Sequence, residues 1–316
     1  MRFLGIDGGG TKTAFSIFDE HMAKLGDSIV LGTSHFAQVG YAGMKDVLKH
    51  GIYLCERTGV LGNDWGIGFG LAGYGQEKDV RTHIETAIAA CVSEAAPLHP
   101  YELVNDVEAA HAAALGVADG IVVVAGTGSI AYGKNAEKSA RCGGWGYQVG
   151  DEGSGWWIGR ETVRIFSRQS DGRNARGPLR DIVIRELHLS EDAEIIGYMR
   201  DKVKNSRLET AKLSRLAYLA ACAGDSDAID IFRRAAYEDA LLVRTLMEKL
   251  FSDETGRDQQ KVPVSYVGGT FKAGRFLLNP LESSLPEECC LQAPKYDPGA
   301  GACLLLRARL LGGKEC

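Results

Sequence analysis

Residues 126–155 read GTGSIAYGKNAEKSARCGGWGYQVGDEGSG, and nine of these thirty are glycine, against 40 in all 316. The run IVVVA at 121–125 precedes them, apolar and β-branched, which predicts a buried strand. A strand that breaks into Gly-Thr-Gly-Ser brings backbone N–H groups and hydroxyls close to a ligand, because no Cβ holds it away. The second half, GGWGYQVGDEGSG, sets Trp145, Asp151 and Glu152 among glycines. That is an apolar wall beside an acceptor for hydroxyls, the make-up of a pocket for a polar small molecule. A plain hairpin needs one or two glycines at its turn rather than three clusters, so ligand binding is the better account.

A second glycine cluster lies near the N-terminus. RFLGID at 2–7 reads as a strand, GGGTKT as a turn and AFSIFD at 14–19 as a second strand. Two familiar phosphate motifs fail here. Walker A needs Gly-Lys-Ser/Thr, and threonine precedes the lysine. The dinucleotide pattern GxGxxG has Thr13 in place of its third glycine, and a strand follows where a helix is required. A hairpin remains. Its turn is either a plain loop or a donor of N–H groups and the Thr11 hydroxyl to a phosphate, with Asp7 placed to reach a metal ion. These residues alone do not separate the two.

Further along, residues 21–31 supply a third strand and 32–40 a loop containing His35. Residues 42–59 are a helix, 66–73 a buried glycine-rich strand, 80–95 a helix, 102–106 a strand ending on Asp106 and 108–116 an alanine-rich helix. A similar order restarts at Ile121: IVVVAGTGS repeats the layout of FLGIDGGGT, and SIAYG continues as a strand. A helical insert fills roughly 156–250. VPVSYVGGT at 262–270 is another strand into a glycine turn, residues 289–294 are a last strand and 297–311 a closing helix. The duplicated layout predicts two related α/β halves facing a central cleft, with a boundary near 116–120.

The net charge of −5 and the absence of a Lys/Arg run argue against nucleic acid as the main partner. Neither a signal peptide nor an apolar run of membrane-spanning length is evident, so a cytoplasmic protein without membrane attachment is expected. The eight cysteines at 55, 91, 142, 222, 289, 290, 303 and 316 form no CxxC and are expected to be reduced and mostly core.

Taken together, DGGGTKT at 7–13, GTGS at 126–129 and VGGTFK at 267–272 resemble the first phosphate loop, second phosphate loop and adenosine motif of the actin-like ATPase superfamily. Within it, CGGWGYQVGDEGS at 142–154 resembles the GCGGWGxxxGDEGS pattern of the N-acetylglucosamine kinases in the BadF/BadG/BcrA/BcrD ATPase group. The resemblance implies an α/β fold of two ribonuclease-H-like domains, 1–118 and 119–316, with the last helix packing back on the first. It implies ATP and Mg²⁺, an amino-sugar substrate and a homodimer. By position, Asp106 matches the catalytic base and Asp7 a magnesium ligand acting through water. His35, Ser129, Gly144, Trp145, Gly146 and Asp151 join Asp106 as sugar contacts, with His35 standing where the pattern has asparagine. Gly8, Gly9, Gly10, Thr11, Lys12, Thr13, Gly126, Thr127, Gly128, Ser214, Gly268, Gly269 and Lys272 match ATP contacts. The CxCGxxGC zinc signature of repressor-type sugar kinases is missing, so no zinc is expected.

The chemistry is coherent without the resemblance. Phosphoryl transfer to a hydroxyl needs phosphate oxygens held by N–H groups and hydroxyls, a Mg²⁺ and a carboxylate to take the hydroxyl proton. Asp106 also has a plainer reading, as the N-cap of the helix that follows. A competing function is an ATPase that activates a 2-hydroxyacyl-CoA dehydratase or benzoyl-CoA reductase through a shared iron–sulfur cluster. It needs cysteines beside the second phosphate loop. The nearest, Cys142, adjoins GGWG instead, so no cluster is expected.

Overall fold

A computed structural model describes residues 1–75, 77–252 and 261–312. The chain divides into two units. One takes Met1–Asp119 with residues 293–312, the other Gly120–Gln292.

The first unit runs β1 (Arg2–Gly8), β2 (Lys12–Phe18), β3 (Ile29–Gly32), α1 (Phe36–Arg57), β4 (Trp65–Leu71), α2 (Lys78–Ala95), β5 (Tyr101–Asn105) and α3 (Asp106–Leu115). The second begins with β6 (Gly120–Ala125), β7 (Ser129–Asn135) and β8 (Lys138–Gly143). Helices α4 (Gly155–Ser170), α5 (Pro178–Leu187), α6 (Glu194–Tyr198), α7 (Arg207–Lys212), α8 (Ser214–Cys222) and α9 (Ser226–Phe251) follow. Then come β9 (Val262–Val267), α10 (Arg275–Ser284) and β10 (Cys289–Leu291), and α11 (Gly301–Gly312) returns to the first unit.

Each unit holds a five-stranded sheet, ordered β3-β2-β1-β4-β5 in one and β8-β7-β6-β9-β10 in the other. In both, the first three strands pair antiparallel and the last two run parallel to the first. The internal duplication is thus a topological fact. The parallel strands set the sites. Gly8 pairs with Leu71, and Leu71 with Asn105, so Asp7 and Asp106 arrive at one edge of the first sheet. Val124 pairs with Val267, so the turns after β6 and β9 share an edge of the second.

Period-two alternation builds the first core. Leu4, Ile6, Phe15 and Ile17 face Met44, Leu48 and Ile52 of α1 and Ile84 and Ile88 of α2. Phe3 and Phe18 face Leu304 and Leu306 of α11 on the other side. In β4, alternate glycines admit close helices. A Cβ on Gly68 would lie 2.4 Å from Cys303 N in α11, and one on Gly70 would lie 2.8 Å from Ala109 Cβ in α3.

Three local expectations need correction. Strand β8 lies inside the glycine-rich stretch, so a β7–β8 hairpin forms there after all. The third strand of the chain is confined to Ile29–Gly32. Helix α1 begins at Phe36, with a break at Gly40 (φ 70°), so part of the expected loop is one helical turn. Residues 293–312, whose helix was expected to pack back on the first domain from a span numbered with the second, group with the first unit. Cys55, Cys91, Cys289 and Cys303 are buried, Cys222 and Cys290 are exposed, Cys142 is intermediate, and Cys316 lies outside the described residues. Among the described residues, no helix is long and apolar enough to cross a membrane.

Candidate active site

In the first unit, the turn between β1 and β2 closes through Gly9 N donating to Lys12 O at 3.0 Å. The segment leading into α1 straps it. Thr33 Oγ1 donates to Gly9 O at 2.9 Å, and Gln38 Nε2 donates to Gly10 O at 2.5 Å. Gly10, Thr11 and Lys12 stay exposed at the tip. Thr13 does not. It is fully buried, in phase with inward-facing Phe15 and Ile17, and its Oγ1 donates to Ser34 Oγ at 2.9 Å. The Thr13 hydroxyl, expected from the sequence to meet a nucleotide, here ties the turn to the strap. Thr33, Ser34 and Gln38, which sequence reasoning did not single out, are the residues that hold this turn.

His35 caps α1, its Nδ1 accepting from Ala37 N at 3.3 Å. Burial lowers its pKa, so the ring is neutral at pH 7 with its proton on Nε2. The ring stacks on Phe36 at 5.1 Å, and a Cβ on Gly73 would lie 3.2 Å from Nε2. His35 therefore presents an N–H donor beside the β4–α2 loop. The same loop is held from β5, where Asn105 Nδ2 donates to Tyr74 O at 2.7 Å.

Asp106 occupies the first helical position of α3, not the cap. Asn105 is the N-cap, its Oδ1 accepting from Val107 N at 3.1 Å, and Asp106 Oδ1 accepts from the same N–H at 3.0 Å. The carboxylate of Asp106 is thus not needed to start the helix. Burial first, then the negative charge of Asp7, pushes Asp106 up to about 6. Asp7 is raised as well, chiefly by burial, against the pull of Lys12 and with Asp297 adding to the rise. It keeps accessible surface despite that desolvation. Two carboxylates that repel each other are an oxygen-only donor set suited to a hard cation. Among the described residues no group of three or more His, Cys, Asp or Glu forms a ligand cluster.

In the second unit, β6 ends in a tight turn with Gly126 N donating to Gly128 O at 2.9 Å. Helix α4 starts against it, Gly155 N donating to Gly126 O at 2.8 Å. The turn after β9 packs on the same point. Thr270 Oγ1 donates to Ala125 O at 2.6 Å, and a Cβ on Gly268 (φ 127°) would lie 2.1 Å from that oxygen. Gly268, Gly269 and Lys272 are exposed there, and Thr127 is half-exposed. Ser214 opens α8 with its hydroxyl donating to Ala211 O at 2.7 Å.

The loop at 143–155 lies alongside. Gly144 N donates to Ser129 O at 3.0 Å, and Gly144 and Gly146 have φ of 72° and 87°. Trp145 is 72% exposed, with the Arg141 guanidinium 5.8 Å from its ring. An indole left in water at that extent is available to stack on a ligand. Asp151 and Ser129 point the other way. The Asp151 carboxylate is 1% exposed, accepting from Ser129 N at 3.3 Å and pairing with Arg207 Nη2 at 2.7 Å. Ser129 Oγ donates to Glu152 O at 2.6 Å. Both were expected to face a sugar. In this structure both brace the turn, and Arg207 is a partner that no local signal announced.

Residues 4–305 match the BadF/BadG/BcrA/BcrD ATPase family. The chain belongs to that family. Family relatives include the N-acetylmuramic acid/N-acetylglucosamine kinase of Clostridium acetobutylicum, 30% identical over 96% of this chain and 98% of that one. The N-acetyl-D-glucosamine kinase of Dictyostelium discoideum is 29% identical over 96% and 97%. Among solved structures, a provisional N-acetylglucosamine kinase of Chromobacterium violaceum superposes with a TM-score of 0.70 at 26% identity, covering 96% of this chain and 98% of its own. The glucokinase of Streptomyces griseus superposes with a TM-score of 0.59 at 18% identity, covering 98% and 99%, and bears on the fold alone.

Proposed function

We propose that this ATPase-family chain is a sugar kinase. It transfers the γ-phosphoryl group of ATP to a hydroxyl of N-acetylglucosamine or a related amino sugar, with the 6-hydroxyl as acceptor. The observation that carries the reading is Asp106: a carboxylate at the start of α3, directly after β5, raised to about 6 by burial and by the charge of Asp7, in a helix that Asn105 caps. A base poised just below neutral pH is mostly ionised at pH 7 yet basic enough to take a proton as the phosphoryl group moves. The names of the relatives support the same class.

Each part of the site then has a task. The exposed backbone at residues 9–11 and the Thr11 hydroxyl hold phosphate oxygens in the first unit, as do the turn at 126–128 and Thr127 in the second. Gly268, Gly269 and Lys272 lie where the adenosine end is received. Trp145 offers an apolar wall to a sugar face, and the His35 Nε2–H donates to a sugar oxygen. Asp7 would hold Mg²⁺ through water, and the ion would supply neutralisation of phosphate charge. Asp106 accepts a hydrogen bond from the attacking hydroxyl and then its proton. The activator-ATPase alternative has no counterpart among the relatives named above.

Regiochemistry tests the finer claim. After incubation with ATP-Mg²⁺ and N-acetylglucosamine, ³¹P–¹H correlation should place a monoester on C6, and the 6-deoxy sugar should not react. A phosphate on C1, or turnover of the 6-deoxy sugar, contradicts it.

A further inference from the structure

The Gly126–Thr127–Gly128–Ser129 turn is braced by a residue far along the chain. Arg207, the first residue of α7, places Nη2 2.7 Å from Asp151 Oδ2. Its guanidinium also lies across the turn, so close that any Cβ on Gly128 would collide with Nη2. Asp151 in turn accepts from Ser129 N, on a left-handed backbone with φ 65°. The platform beneath is closely packed. Helix α7 is capped by Ser206, whose Oγ accepts from Glu209 N at 3.3 Å. Helices α4 and α7 touch so closely that Gly159 has no room for a Cβ against Thr210 O. Arg207 Nε is buried with no hydrogen-bond partner among the described residues.

We propose that Arg207 is the positioning residue of the second phosphate turn. By neutralising Asp151 and lying on Gly128, it fixes the backbone at 127–129 in the shape that receives a nucleotide phosphate. Without it, a desolvated carboxylate sits unpaired behind the turn, and the turn loses the wall that keeps Gly128 in place. The inference rests on the nucleotide-dependent reading above but needs no sugar turnover to be tested.

The experiment measures affinity for a fluorescent ATP analogue, trinitrophenyl-ATP, and melting temperature, in the full chain. Arg207→Ala should lower the melting temperature and weaken analogue binding roughly tenfold, within the range seen for coupled neighbours. The double variant Arg207→Ala/Asp151→Asn removes the unpaired charge, so it should regain melting temperature but not affinity. Arg207→Lys keeps the charge without the planar fork and should recover part of the affinity. A purely structural ion pair gives a different pattern. Analogue binding unchanged in Arg207→Ala, or affinity and stability restored together in the double variant, overturns the proposal. A wild type that binds the analogue yet phosphorylates no sugar defeats the kinase reading and leaves this inference standing. A wild type that binds no analogue defeats the inference.

Discussion

Replacing Asp106 by asparagine separates catalysis from stability in opposite directions. The variant keeps the shape and the acceptor that Asp106 Oδ1 offers to Val107 N, and Asn105 still caps α3. What it loses is the base, for which removal typically lowers turnover 10²–10⁴-fold. What it gains follows from the raised pKa. The carboxyl moves from its ordinary 3.8 to about 6 on folding, chiefly through burial and then through Asp7. At ~1.4 kcal/mol per tenfold, holding that group ionised costs the folded protein up to ~3 kcal/mol. Because the folded pKa is the higher one, the cost is nil below about pH 4 and complete above about pH 6. That figure already contains the opposing pull of the Val107 and Asp106 backbone N–H groups at the start of the helix. Asp106→Asn should therefore be about 1–3 kcal/mol more stable than wild type at pH 8, a rise of several degrees in melting temperature at roughly 2–4 °C per kcal/mol. The advantage should shrink as pH falls towards 4. Melting curves at pH 4.5, 6 and 8, beside steady-state turnover, read both effects. Wild-type turnover would refute the catalytic assignment. A lower melting temperature at pH 8 would refute the electrostatic account.

Three further outcomes follow from the geometry. In the wild type, kcat/KM should fall as pH drops through an apparent value near 6, the base being lost on protonation of the Asp7–Asp106 pair; a flat profile from pH 5 to 8 would count against that base. Asp239 is fully buried with no hydrogen-bond partner for either oxygen among the described residues, and burial, then Glu238, raises its pKa well above 3.8. Its folded pKa is the higher, so stability is lost as pH rises; Asp239→Leu, of the same shape, should raise the melting temperature at pH 8, and a fall there would show an unseen partner. Gly268→Ala should destabilise the protein by roughly 2–4 kcal/mol in denaturant titration, since the new Cβ meets Ala125 O at 2.1 Å with φ at 127°; an unchanged midpoint would show that the β9 turn yields freely.

The sequence was most legible where signals are local. Alternation and the glycine turn located β1 and β2, and the acid at the end of β5 pointed to Asp106. Thr13 shows a signal present but unread: it shares the phase of Phe15 and Ile17, which turns its hydroxyl inward. Strand β8 gave no apolar alternation, because KSARCG is a sheet edge with no fully buried position. The Asp151–Arg207 pair joins residues 56 positions apart, and no periodicity links them. Likewise, the seating of α11 depends on the glycine face of β4, more than two hundred residues earlier. Local pattern reports which face of an element is buried, but tertiary packing decides what covers it.

The central claim is sugar-dependent phosphoryl transfer from ATP. It is tested most directly by coupled detection of ADP release with ATP-Mg²⁺ across a panel of hexoses and amino sugars. Release should be negligible without sugar, stimulated strongly by N-acetylglucosamine or a close amino sugar, and lost in Asp106→Asn. ADP release that ignores every sugar, or persists undiminished in Asp106→Asn, would contradict the account.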